Sequence, residues 1–146
     1  MISVATDISL VTAQLATFSS VLLLLEENPF DKPYFWAIVG PALVWTLMST
    51  FTLGNSYSSS TRPRPSALFC QRGTYRYVRH PIYTGLMAVA LAFAVTSLSL
   101  LVVVLFLSVV ATTNARAGIE EQMLIERYPE YVEYRNRTKR YLPYVI

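Results

Sequence analysis

The chain alternates long apolar runs with short polar breaks, and the runs are too long for strands. The first extends from Ile8 to Leu25, interrupted only by hydroxyls and one amide. Thr12, Gln14, Thr17, Ser19 and Ser20 give it a polar face suited to packing on other helices. Glu26-Glu27-Asn28-Pro29 ends it, and a second run follows from Pro33 to Leu53. Trp36 is placed to sit at a membrane interface, and Pro41, lacking a backbone donor, is expected to kink this helix. A span needs about 20 largely apolar residues, so both runs predict membrane helices. No basic residue precedes the first run, where Asp7 stands instead, so it reads as a retained span rather than a signal peptide.

Residues 54–81 change character. Gly54, Asn55 and a cluster of serines lead into Arg62-Pro63-Arg64-Pro65, which is loop chemistry. From Ile82 to Thr113 there is no charge in 32 residues. As one helix this stretch would measure about 48 Å, too long for one straight crossing of a core about 30 Å thick. A hairpin turning near Thr96-Ser97-Leu98-Ser99 fits better and brings the polar stretches on either side of it to one face of the membrane. The final helix should continue past the membrane and stop at Tyr128-Pro129, because a residue before proline avoids helical geometry. Taken alone, the tail from Glu130 to Ile146 reads as a membrane-surface segment, with tyrosines at headgroup level and basic residues on anionic lipid.

Composition sharpens this picture. Hydrophobic residues make up 53% of the chain and charged residues 14%, against about 25% charged in soluble domains. Eleven of the twelve Lys and Arg residues lie in 62–79 and 116–140. Their position beside apolar spans matches the basic bias of cytoplasmic loops and argues against nucleic acid as a partner. The reading is therefore an all-α, polytopic membrane helix bundle forming a single domain over 1–146. It has about four transmembrane helices, near 8–25, 33–53, 82–97 and 99–115, with a cytoplasmic polar region at 67–85 and 116–143. Cys70 and His80 are the only residues of their types, which leaves no intrachain disulfide and a poor metal site.

Two clusters carry the candidate chemistry. The first is Gly73-Thr74-Tyr75-Arg76-Tyr77-Val78-Arg79-His80-Pro81-Ile82-Tyr83-Thr84-Gly85. Pro81 suits the first turn of a helix, which puts His80 at the cap position, near the positive end of the helix dipole, where a carboxylate is well received. A basic interfacial segment entering a span accounts for these residues equally well. The second cluster is Arg116, Glu120 and Glu121. Arg116 and Glu120 are four apart and share a helical face. They read either as a surface ion pair or, at the end of an apolar span, as functional charges. Residues 1–60 carry no motif.

The first cluster, a membrane hairpin, an arginine four residues before a Glu-Glu pair, and a tyrosine-rich tail with Tyr131, Tyr134, Arg140 and Pro143 follow one another in order. Over residues 67–143 this order resembles the isoprenylcysteine carboxyl methyltransferase family and its phospholipid-methyltransferase relatives. The resemblance implies S-adenosylmethionine as methyl donor, S-adenosylhomocysteine as product, and a lipophilic acceptor met in the membrane, a prenylated cysteine carboxylate above all. Carried onto this chain, it implies a cofactor pocket from Ala67, Leu68, Phe69, Cys70, Tyr75, His80, Pro81, Ile82, Tyr83 and Glu120. It implies Arg116 at the acceptor, and Arg116, Glu120 and Glu121 as the catalytic set. No metal is needed, because a sulfonium carries its own leaving group. An amine acceptor is the alternative, with Glu121 or a tyrosine as proton acceptor. A reductase using a nicotinamide dinucleotide, like membrane sterol reductases, is a further one.

Overall fold

The computed structural model describes residues 4–23, 28–54 and 70–143. Among these residues there are five α-helices: α1 Val4–Leu23, α2 Pro33–Leu53, α3 Pro81–Ser97, α4 Leu100–Arg127 and α5 Tyr131–Arg137. Two 3-10 turns, Pro29–Asp31 and Gly73–Arg76, lie between them. Among the described residues there is no strand, only a single parallel bridge between Val78 and Lys139.

The four long helices alternate in direction. The uncharged stretch is a hairpin, α3 and α4, reversing at Leu98, which takes left-handed backbone (φ 50°). α2 runs antiparallel to α3. Phe35 meets Phe93 at one end, with ring centroids 5.1 Å apart, and Gly85 meets Thr46 toward the other. α1 runs antiparallel to α4, since Gln14 bonds Thr113 while Thr17 lies 3.4 Å from Ser108. One end of the bundle therefore gathers the start of α3, the polar half of α4, the end of α2 and the tail. α2 passes through Pro41 as one helix. α4 ends where the sequence predicted, with Tyr128 extended before Pro129.

Packing is closest between α2 and α3. A Cβ on Gly85 would collide with Thr46 Oγ1 and lie 3.0 Å from the Ala42 carbonyl oxygen. Only glycine admits this approach, the small-residue packing that membrane helices use. Beyond it, Phe35, Val39, Ala92, Phe93, Ala94 and Val102 form the apolar core. Hydroxyls within the helices bond back to carbonyls one turn earlier, as Thr17 does to Ala13 and Ser20 to Ala16. That leaves few polar groups needing water. Large apolar side chains point outward along α2 (Leu43, Val44, Leu47, Met48, Phe51) and α4 (Leu100, Val103, Val104, Leu107). Helix faces that expose this many large apolar side chains mark an interface with lipid or protein. α2 and α4 are long and apolar enough to cross a membrane; α3 is apolar but shorter, at 17 residues.

The tail corrects one reading. Tyr131 and Tyr134 are each 2% exposed, so they are packed inside the protein and do not lie at headgroup level. The Tyr134 hydroxyl donates to the Tyr75 carbonyl at 2.5 Å.

Candidate functional site at the polar end of the bundle

Pro81 opens α3 at its first position and His80 is the residue before it. This corner is held from outside. The backbone N–H groups of Arg79 and His80 donate to the carbonyls of Lys139 and Arg140 at 2.9 and 3.0 Å. Thr84 Oγ1 donates to the Tyr141 carbonyl at 2.8 Å. The tail thus lies beside the His-Pro corner as a short strand-like pairing. Across from it, the last two turns of α4 present Glu120 and Glu121.

His80 stands between the two glutamates. Nδ1 is 3.4 Å from Glu120 Oε2 and Nε2 is 3.2 Å from Glu121 Oε1. An imidazole facing an acceptor at both nitrogens is best satisfied as the cation, with both donating. Burial of the ring opposes its charge, but the hydrogen bonds to Glu120 and Glu121 outweigh this and raise its pKa above the ordinary 6.5.

Glu121 is the electrostatic hub. Its side chain is 3% exposed. Oε1 accepts from Arg79 Nε at 3.0 Å and Arg140 Nε at 3.1 Å, and Oε2 from Arg140 Nη2 at 2.9 Å. Arg135 Nε approaches Oε2 to 3.6 Å. Burial alone would raise this carboxyl's pKa; the bonds from His80, Arg140 and Arg79 reverse the effect and hold it well below the usual range. Arg79 also donates to the carbonyls of Arg135 and Thr138, so one buried carboxylate ties α4, the His-Pro corner and the tail together.

Glu120 is less enclosed, with 20% of its side chain exposed. The Tyr83 hydroxyl donates to its Oε1. The Tyr83 ring stacks on His80, centroids 5.4 Å apart and planes 7° from parallel. Arg116, on the face of α4 one turn before Glu120, is 8% exposed, and its guanidinium carbon lies 5.6 Å from the Tyr83 ring centroid.

The structure therefore brings together His80, Tyr83, Arg116, Glu120 and Glu121, with Pro81 and Ile82 in the supporting first turn of α3. Cys70 packs against the end of α2, its sulfur 3.9 Å from the Thr52 carbonyl oxygen, and Tyr75 is joined to α5 through its carbonyl. Ala67, Leu68 and Phe69 lie outside the described residues. Three groups were not singled out from the sequence: Arg79, Arg140 and Gln14. The first two stand inside the quoted motifs, and their value as partners depends on which carboxylate the fold puts opposite them. Gln14 signalled itself only as an amide in an apolar run.

Fold and site together define a membrane protein that, among the described residues, is all-helical, with His80, Arg116, Glu120, Glu121 and their basic partners gathered at one end of the bundle and only Asp31 and Lys32 beside the α3–α4 turn at the other. Residues 34–126, more than half of the chain, match the model of the isoprenylcysteine carboxyl methyltransferase (ICMT) family, and the chain belongs to that family. Methyl transfer is that family's chemistry. The match begins within α2, where the sequence offered no motif, and stops before the tail. No curated protein matches the chain.

Proposed function

We propose that this protein transfers a methyl group from S-adenosylmethionine to the carboxylate of a lipophilic acceptor of the prenylcysteine type, at the cytoplasmic end of a four-span bundle. The observation that carries this reading is the close grouping of Arg116, Tyr83, Glu120 and His80 from two helices of one hairpin.

The residues present suit the donor. Glu120 is a partly exposed carboxylate able to accept hydrogen bonds from an ammonium or a ribose. His80 stacks on Tyr83 and holds that ring beside Glu120, where an aromatic surface can meet a flat heterocycle. Thr74 Oγ1 is buried and has no hydrogen-bond partner among the described residues, a further group a ligand would satisfy. When bound, S-adenosylmethionine supplies a methyl group on a sulfonium leaving group. The protein's own task is to orient and to exclude water.

Arg116 orients the acceptor carboxylate, a bidentate task for a guanidinium. That carboxylate is already ionised at neutral pH, so no general base is required. Tyr83 and His80 hold Glu120 in place, and Glu121 clamps the tail over the corner. An amine acceptor would need a proton acceptor. Glu121 is unsuited to it, because its lone pairs are engaged by His80, Arg79 and Arg140, and the Tyr83 hydroxyl already donates its proton to Glu120. This favours the carboxylate reading over the amine one.

The test is methyl transfer by the purified chain to a prenylated cysteine and, in parallel, to a phospholipid amine, with S-adenosylhomocysteine binding measured alongside. Arg116→Ala is expected to lower turnover on the prenylcysteine at least about tenfold, the loss of a charge-assisted contact, with binding retained. Glu120→Ala is expected to weaken S-adenosylhomocysteine. Transfer to the amine alone would sink the acceptor assignment. Equal binding by wild type and Glu120→Ala would remove that glutamate from the donor site.

A further inference from the structure

The family match starts at Tyr34 and leaves α1 without a role, yet α1 reaches the acceptor side of the site. Gln14, midway along α1, is 6% exposed. Its amide is held at both ends: Nε2 donates to Thr113 Oγ1 at 2.8 Å, and Oε1 accepts from Arg116 Nη1 at 2.7 Å. Thr113 and Arg116 are three residues apart, so they lie on one face of α4 and a single side chain spans both. A guanidinium only donates, so the amide oxygen must face Arg116. The Thr113 hydroxyl accepts the other end and locks that orientation.

The neutrality of this contact matters. A glutamate here would form a stronger pair with Arg116, but it would offset the cation's charge. An amide aims the guanidinium without adding a negative charge of its own beside it. We infer that Gln14 is a positioning residue that aims Arg116 at an anionic acceptor, and that α1 therefore belongs to the acceptor side of the site. This rests on the function proposed above.

The experiment uses the full chain in lipid-containing detergent, with a prenylated cysteine as acceptor. It compares wild type, Gln14→Glu and Gln14→Met for acceptor KM, kcat, S-adenosylhomocysteine affinity and melting temperature. Gln14→Glu is expected to raise the acceptor KM about tenfold or more, the scale of a hydrogen bond to a charged group, with cofactor affinity and melting temperature preserved. Gln14→Met, which keeps the volume and removes both bonds, is expected to raise KM with cofactor affinity intact; it decides alone if the glutamate variant does not fold. A wild-type KM in the folded variants overturns the inference, as does a parallel loss of cofactor affinity, which would mark a structural role only. A wild-type chain that binds S-adenosylhomocysteine but methylates no prenylcysteine overturns the proposed function itself. Transfer by wild type with unchanged variants overturns only the role of Gln14.

Discussion

Adjacent glutamates on α4 do different work because their surroundings differ. Glu120 keeps some exposure and meets Tyr83 and one nitrogen of His80; Glu121 is enclosed by Arg79, Arg140 and the other nitrogen. Removing one partner of a buried ion pair is costly because the remaining charge stays desolvated, by about 3–5 kcal/mol. Glu121→Gln is accordingly expected to lower the melting temperature markedly in a thermal scan. The same network makes stability depend on pH. Glu121, with its pKa depressed from 4.5, contributes fully above that value and loses its contribution as pH falls through the lower native value. His80, with its pKa raised from 6.5, contributes fully below that value and loses its contribution as pH climbs through the higher native value. The network is therefore strongest between pH 4.5 and 6.5 and weakens toward alkaline pH. Melting temperature measured against pH should show that alkaline fall, and His80→Gln should flatten it.

Between elements, the contact of α2 with α3 sets where the His-Pro corner stands. Gly85 lies one turn into α3, and its missing side chain lets the helix backbones approach. Gly85→Ala should force them apart at a cost of about 1–3 kcal/mol, as overpacking does. The corner would move relative to Glu120, so methyl transfer should fall as well. Gly118 in α4 is the control. A Cβ there meets nothing within 4 Å, so Gly118→Ala should stabilise the helix by about 0.5–1 kcal/mol through backbone entropy. Thermal melts of the two variants should move in opposite directions. The turn between α3 and α4 has the opposite requirement, since Leu98 sits at positive φ with its side chain 84% exposed.

At the scale of the molecule, the alternation of four helices places the described basic residues of 72–79 and 116–140 at one end and Leu98 at the other. In a Cys70→Ser background, single cysteines at Leu98 and at the exposed Asn136 should react with a membrane-impermeant thiol reagent from opposite faces of sealed vesicles. Labelling of both from one face would rule out the hairpin as a membrane-crossing pair.

Much of this was legible in the chain because the signals are local. The lengths of the apolar runs, the absence of charge over residues 82–113, the proline after Tyr128 and the proline after His80 each act within a turn or two of backbone, and α2, the hairpin and the ends of α3 and α4 follow from them. Arg116 and Glu120 share a face by helical period alone. What only the tertiary structure decided is which charges meet across long separations. Arg79 and Arg140 close on Glu121, Tyr134 is buried against Tyr75, and Gln14 reaches Arg116 from a helix with no motif. An isolated glutamate, tyrosine or glutamine carries no local mark of its partner. Whether it is a solvated side chain, a clamp or a guide depends on the burial and the opposing groups that packing supplies.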